Sequence, residues 1–195
     1  MSDQPRGTEW MRGARREVVQ DGILAIAEQV FEELGAEASM SDIAAAVGCS
    51  RATLYRYFDG RTQLQLAYVE RVARRIGAEV AAGVAHLADP GERLTSSILA
   101  ALHRVRRDRA LAVWFVPRGA GVTTELALSS ELIEKAAGAF LGPGTPDNQL
   151  AARWVIRVIV SLLTVPGESD EQERAMISQF VTPGVISTGV PAGNY

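Results

Sequence analysis

The sequence has 195 residues, of which 47% are hydrophobic and 22% charged, so a disordered chain is excluded. A single cysteine excludes a disulfide framework within the chain, and no apolar run approaches the roughly 20 residues of a membrane helix. We therefore expect a soluble cytoplasmic protein without a membrane partner. The formal net charge of −3 argues only weakly against a nucleic-acid partner, since binding depends on the field at one face.

The N-terminal residues differ in pattern from those that follow them. Residues 1–12 carry glycine, proline and charge without periodicity, which predicts a mobile arm. From Arg15 to Leu34 the apolar residues recur at helical spacing, which predicts a first helix that ends at Gly35. Cations cluster before this helix and at its start: Arg12, Arg15 and Arg16.

The stretch from Ser39 to Phe58 predicts a helix-turn-helix. Ser39 followed by Asp42 is a helix-start signal, because the hydroxyl accepts an orphan backbone N–H and the carboxylate favours the positive end of the helix dipole. Gly48 ends this helix where a positive φ is needed, and Ser50 caps the next one. In such a motif the second helix enters the major groove of DNA.

The second helix offers hydrogen-bonding side chains, while Leu54 and Phe58 are four residues apart and are expected to pack inward. Arginine binds guanine with two hydrogen bonds, and hydroxyl groups bind phosphates. The side chains expected at base edges are Arg51, Thr53 and Arg56. Those expected at phosphates are Ser39, Ser50, Tyr55, Tyr57 and Arg61, and Ala52 belongs to the same DNA-binding surface. A solvated helical hairpin is the alternative.

The run from Asp42 to Arg61 resembles the signature of TetR-type transcriptional regulators: an Asp-Ile-Ala, a Gly-x-Ser turn and a Thr-Leu-Tyr-x-Tyr-Phe. Two positions depart from it, since Cys49 stands where the family usually has valine and Asp59-Gly60-Arg61 replaces a Ser-Lys. The resemblance implies that the arm and the start of the first helix approach the DNA backbone. It gives that role to Arg12, Arg15 and Arg16, with a solvated basic end as the alternative for Arg12.

The rest of the chain is expected to be helical, so the predicted fold class is all-α. Helices are predicted over 61–87 (ended by Asp89-Pro90), 91–107, 109–117, 124–140, 147–164 and 170–182. The predicted divisions are a mobile arm (1–12), a helix-turn-helix DNA-binding domain (13–60), a ligand-binding and dimerisation domain (61–182) and an irregular C-terminal tail (183–195).

The helices predicted over 147–164 and 170–182 carry more apolar surface than a small helical body can bury. This favours a surface that binds a partner. The resemblance implies that these helices form a homodimer. The residues expected in the interface are Trp154, Arg157, Val158, Ser161, Leu162, Met176, Ile177 and Phe180. A two-fold dimer presents two recognition helices, so the expected DNA partner is an inverted-repeat operator. A monomer with a well-filled core is the alternative.

Bulky side chains on helices expected to face each other form a candidate ligand pocket: Leu99, Leu102, His103, Trp114, Phe115, Phe140 and Trp154. An apolar lining with one or two polar groups is usual for a small-molecule site. The resemblance implies an effector that releases DNA, and the composition favours an apolar or aromatic compound. Ordinary core packing is the alternative for each of these residues. Arg118 and Arg157 are candidates for contact with an anionic ligand, with solvated or interface arginine as the alternative.

Enzyme signatures are missing: the sequence has no Gly-x-Ser-x-Gly elbow, phosphate loop or His-Glu-x-x-His. His86, His103 and Cys49 lack the spacing of metal ligands, so no metal, cofactor or catalytic residue is expected. The sequence predicts a dimeric DNA-binding transcriptional regulator, and the resemblance implies a repressor that is relieved by a small molecule. A helical protein-interaction or small-molecule-binding protein without DNA function is the alternative.

Overall fold

The computed structural model describes residues 6–112, 114–115, 130–141 and 148–186, except for the side chains of 6–12, 36 and 148. Every regular element in these ranges is helical, which confirms the predicted all-α class. By its internal contacts the chain divides into two compact units, Met1–Tyr68 and Val69–Tyr195. Among the described residues, none of the helices combines the length and the apolar character that a membrane span requires.

The first unit contains α1 (Arg6–Leu34), a 3₁₀ turn (Gly35–Glu37), α2 (Met40–Val47), α3 (Arg51–Tyr55) and the start of α4 (Arg61–Val84). The described elements of the second unit are the rest of α4, α5 (Pro90–Arg107), α6 (Arg109–Ala112), α7 (Glu131–Gly138), α8 (Asn148–Thr164), α9 (Asp170–Met176), a π-helical turn (Ile177–Val181) and α10 (Thr182–Ile186). The division by contacts falls between Tyr68 and Val69, inside α4. The boundary predicted between residues 60 and 61, at the start of this helix, stays a prediction.

The first helix is longer than predicted, because α1 begins at Arg6 rather than near Arg15. Residues 6–12 are therefore helical instead of irregular, while residues 1–5 lie outside the described part of the chain. Glutamate, methionine and arginine are good helix formers, and a glycine inside a helix costs only about 1 kcal/mol, so Gly7 and Gly13 do not end it.

The core of the first unit joins α1 to the following helices. Ile23, Ala27 and Phe31 of α1 are buried, and the rings of Phe31 and Tyr68 lie 4.8 Å apart at 46°. Val19 and Ile26, which the apolar spacing places on the buried face, are instead 40% and 37% exposed. The buried face is therefore rotated toward positions 24, 27 and 31.

Two helix ends in the second unit differ from the prediction because of capping. Pro90 does not merely follow the long helix but begins α5, where its missing N–H costs nothing. Asp89 is the N-cap residue and accepts a 2.6 Å hydrogen bond from the N–H of Glu92. Ser130 caps α7 in the same way, so this helix spans Glu131–Gly138, and the predicted 124–129 lie outside the described residues.

The predicted helix over 109–117 is observed as the short α6, and residues 113 and 116–117 lie outside the described residues. At the other end of the unit the helix does not stop at 182, because a π-helical turn leads into α10. Pro183 has no N–H to donate, and a proline is tolerated in the first turn of a helix. Residues 183–186 are thus helical, and 187–195 are outside the described part.

Candidate nucleic-acid interface and effector cavity

A reciprocal capping box fixes the start of α2. Ser39 Oγ accepts from the N–H of Asp42 at 3.2 Å, and Asp42 Oδ2 accepts from the N–H of Ser39 at 2.9 Å. The Ser39 hydroxyl also donates to Asp42 Oδ2 at 2.6 Å. This hydroxyl bond is the main cause of the lowered pKa of Asp42, and the bond from the Ser39 N–H lowers it further. The predicted phosphate contact of Ser39 requires that this hydroxyl bond be given up.

The turn between α2 and α3 depends on Gly48, whose φ of 73° is left-handed. The N–H groups of Gly48 and Cys49 donate to the carbonyls of Ala45 and Ala44 at 3.1 and 3.0 Å, the pattern of a Schellman cap. Cys49 takes part through its backbone, so cysteine in place of valine leaves the turn unchanged.

The recognition helix α3 has five residues, shorter than the predicted helix, and Arg56 and Tyr57 follow it in a turn. Leu54 and Phe58 are buried, which confirms their inward packing. The predicted DNA-contacting side chains are exposed or half-buried on the other side: Ser50, Arg51, Ala52, Thr53, Tyr55, Arg56 and Tyr57.

Four of these side chains have partners within the motif. Ser50 Oγ accepts from the N–H of Thr53 at 3.1 Å and lies 2.9 Å from Thr53 Oγ1, so one of the two hydroxyl protons is used between them. The guanidinium carbon of Arg51 lies 6.0 Å from the ring centroid of Tyr55. A cation–π contact at an exposed site is weak, and it leaves the donors of Arg51 available to a base.

The end of the motif is held by α1. Gln20 Nε2 donates to the carbonyl oxygen of Tyr57 at 2.8 Å, and Arg16 Nη2 does so at 3.3 Å. The guanidinium carbon of Arg16 lies 5.8 Å from the Tyr57 ring centroid. The sequence analysis missed Gln20; its place four residues after Arg16, on the same helix face, is the signal that links the two.

The other predicted phosphate contacts are cations on the first unit. Arg15 is exposed, and Arg61 Nη2 lies 3.7 Å from Glu37 Oε2 in an exposed ion pair. Such a pair contributes roughly 0–1 kcal/mol, so a phosphate can compete with Glu37 for Arg61. The side chain of Arg12 lies outside the described residues.

The second unit contains a cavity of about 120 Å³. Sixteen described residues line it, all of them apolar: Val69, Ala73, Ile76, Gly77, Ala101, Val105, Leu111, Phe115, Ile133, Ala136, Ala137, Phe140, Ile156, Ile159, Val160 and Leu163. The side chains of these residues carry no polar atoms, so they offer a ligand only apolar contacts. Enclosed apolar cavities of similar size are known to bind small apolar compounds.

Only Phe115 and Phe140 of the seven predicted pocket residues line this cavity. Leu99, Leu102 and Trp114 are instead buried in the core and do not line this cavity, which favours the core-packing alternative for them. Large aromatic side chains fill space, whereas a cavity forms where residues are small. The signal that could have found it is a set of inward alanines and a glycine: Ala73, Gly77, Ala101, Ala136 and Ala137.

The other two predicted pocket residues are partly exposed. His103 Nε2 lies 3.1 Å from Asp170 Oδ2, at ion-pair distance although not in hydrogen-bond alignment, and its side chain is 42% exposed. Trp154 is 50% exposed and belongs to a surface groove. Neither residue lines the apolar cavity.

The surface groove, formed by α8, α9 and the π-helical turn, brings together all eight residues predicted for the dimer interface. Val181 is the additional lining residue. Three large apolar side chains of the groove are strongly exposed, namely Trp154, Met176 and Phe180. The described residues hold no group of three or more His, Cys, Asp or Glu side chains that could bind a metal.

Comparisons with known proteins agree with this geometry. Residues 23–68 match the family model of bacterial regulatory proteins of the tetR family. The chain is 44% identical over 191 residues to an uncharacterized HTH-type transcriptional regulator of Mycobacterium tuberculosis strain H37Rv, Rv1255c, with 95% of each chain covered.

Two solved structures share the fold. The TetR family repressor AlkX from Dietzia sp. strain DQ12-45-1b superposes with a TM-score of 0.60 at 22% identity, over 85% of this chain and 97% of that one. RolR in complex with resorcinol gives 0.63 at 17% identity, over 94% and 98%. Together with the family model and the 44% identical relative, the helix-turn-helix shows that this chain is a transcriptional regulator that belongs to the TetR family of bacterial regulatory proteins.

Proposed function

We propose that this protein is a cytoplasmic homodimeric repressor. It binds an inverted-repeat operator and releases it when an apolar small molecule occupies the cavity of the second unit. The observation that carries the proposal is the exposed face of α3 and the turn after it, where Arg51 and Thr53 lie on the helix and Arg56 directly follows it. The helix is capped by Ser50 and buried on its other side, and the turn is bonded to α1 through the Tyr57 carbonyl.

The residue types on this face suit the major groove. Arginine binds O6 and N7 of guanine with two hydrogen bonds, and a threonine hydroxyl accepts or donates at several base edges. Arg15, Arg16 and Arg61 add positive charge for the phosphates, so affinity falls as salt rises.

Dimerisation is supported by the groove of α8 and α9. Phe180 is 77% exposed and Trp154 50%, and burying such side chains against a second copy removes a large apolar area from water. A two-fold axis through this surface makes it self-complementary and gives two copies of α3, which is why the operator is an inverted repeat.

The effector class follows from the lining of the cavity, which is apolar in all sixteen described positions. Val69, Ile76 and Gly77 of the lining belong to α4, the helix that directly follows the helix-turn-helix along the chain. A ligand that displaces α4 releases DNA only if it binds the state that cannot bind DNA more tightly than the state that can. RolR was solved with the aromatic compound resorcinol, and AlkX is implicated in the biodegradation of n-alkanes, which are apolar.

Footprinting of the purified protein on DNA that flanks its own gene, at two salt concentrations, tests the proposal. We expect a protected inverted repeat whose protection weakens with salt. Selection of bound fragments from a library of genomic DNA, at the same salt concentrations, detects an operator that lies elsewhere in the genome. Lack of protection and of any selected fragment would contradict the proposal and favour a small-molecule-binding or protein-interaction role without DNA function.

A further inference from the structure

The recognition helix cannot hold its own orientation. With five residues, α3 is far below the length of about 12–15 residues at which an isolated helix becomes even marginally stable. Ser50 caps its first turn and Leu54 anchors its middle, which fixes the start of α3 and its rotation. Beyond its end the buried Phe58 anchors the chain, but the backbone carbonyls there still need a donor from another element.

Gln20 of α1 supplies that donor. The carbonyl of Tyr57 lies beyond the last turn of α3, where no helical N–H follows to pair with it. The half-buried Gln20 amide donates to this carbonyl at 2.8 Å, a shorter bond than the 3.3 Å bond from Arg16. Arg16 is exposed and charged, so a DNA phosphate competes for it, whereas the neutral, half-buried Gln20 amide binds a phosphate more weakly.

We propose that Gln20 is a positioning residue for sequence recognition: its bond to the Tyr57 carbonyl holds the end of α3 in the orientation that reads bases. This inference rests on the proposed DNA-binding function. Sequence reading requires base edges and side chains to meet in one geometry, whereas non-specific binding depends mainly on charge. Loss of Gln20 therefore lowers specific affinity and leaves non-specific affinity unchanged.

The variant that tests the bond is Gln20→Met, which keeps the length of the side chain and removes the donor. Gln29→Met is the matched control, because Gln29 is exposed on the same helix. The probes are a duplex that the wild-type protein enriches from a random pool and a duplex of scrambled sequence, both at one salt concentration. Thermal unfolding confirms that the variants fold.

We expect Gln20→Met to lose about tenfold in affinity for the enriched duplex, the equivalent of one hydrogen bond, and less than about twofold for the scrambled one. Gln29→Met should change neither. An equal loss on both duplexes, or no loss on the enriched one, would overturn the proposal.

Hydrogen exchange separates this proposal from the DNA-binding function. In the absence of DNA, amides of residues 54–58 should exchange about tenfold faster in Gln20→Met, while those of α2 should not change. Gln20→Lys restores a donor and should restore the slow exchange. Unchanged exchange in Gln20→Met would overturn the positioning role even if DNA binds. A wild-type protein that enriches no duplex, yet shows the faster exchange in the variant, would contradict only the proposed function.

Discussion

Arg106 of α5 and Glu173 of α9 form a two-pronged ion pair, with Nη1–Oε2 and Nη2–Oε1 distances of 2.9 and 2.6 Å. The Glu173 side chain is only 2% exposed, and its Oε1 also accepts from the N–H of Gly167 at 2.9 Å. Arg106 Nη2 donates in addition to the carbonyl of Leu162 at 3.0 Å. This cluster joins α5 to the two helices that carry the surface groove.

Replacing Glu173 by glutamine should destabilise the protein, because Arg106 then faces a group that cannot accept both of its bonds. Breaking a buried pair costs about 3–5 kcal/mol, and the 28% exposure of the Arg106 side chain lowers our expectation to about 2–3 kcal/mol. Urea unfolding measures the difference. Glu79→Gln is the control, since Glu79 pairs with Arg104 at 2.9 Å on the surface and should cost less than about 1 kcal/mol.

The same pair predicts a pH dependence. The hydrogen bond from Arg106 is the main cause of the lowered pKa of Glu173, and the bond from the Gly167 N–H lowers it further. Burial and the negative charge of Asp170 act in the opposite direction and raise it. Because the pKa is lower in the folded protein, the stabilisation is complete above the ordinary glutamate pKa of about 4.3 and is lost as the pH falls through the folded value. The stability difference between wild type and Glu173→Gln should therefore shrink from pH 7 to pH 3. A constant difference would contradict the assignment.

The cavity should bind benzene. An engineered apolar cavity of about 150 Å³ does so, and the cavity here is close to that size, at about 120 Å³. Benzene at a hundred times its Kd should stabilise the second unit by about 2.7 kcal/mol, seen as a rise in melting temperature. Ala137→Leu fills part of the cavity and should abolish the rise. Ala78→Leu, on the exposed face of α4, should keep it. A rise that survives Ala137→Leu would place the ligand elsewhere.

The sequence predicted the helix-turn-helix well, because each of its features is a local signal: a serine cap, a left-handed glycine, and Leu54 and Phe58 on one helix face. The cavity was not predictable in the same way. It depends on how α4, α5, α7 and α8 pack, and its lining consists mostly of alanine and aliphatic residues that look like any core. The size of Trp114 favours a pocket residue in the sequence, yet in the fold this large side chain is fully buried and fills the space that a ligand would need.

Phe180→Glu should prevent the proposed homodimer from forming. Phe180 is 77% exposed in the groove, and a carboxylate there would be buried without a partner when the second copy docks. Sedimentation equilibrium measures the mass of the species in solution. Val165→Glu is the control, because Val165 is 71% exposed but does not line the groove. A dimer that persists in Phe180→Glu, or is lost equally in Val165→Glu, would count against this surface as the interface.

Arg56 and Arg61 should differ in how their loss affects DNA binding. Arg56, exposed just after α3, is expected at a base, so Arg56→Ala should cost about 1–3 kcal/mol on the operator and relax the preference at one position. Arg61, at the start of α4, is expected at a phosphate, so Arg61→Ala should weaken binding to all sequences and lower the salt slope by about 1.

Titrations of both variants on operator and scrambled DNA, at several salt concentrations, measure these two effects separately. Glu37→Gln is an additional check, since it removes the exposed carboxylate 3.7 Å from Arg61 and should strengthen binding to both duplexes slightly. Equal losses on the two duplexes for Arg56→Ala would assign Arg56 to the phosphate backbone. An operator-specific loss for Arg61→Ala would assign that arginine to a base instead.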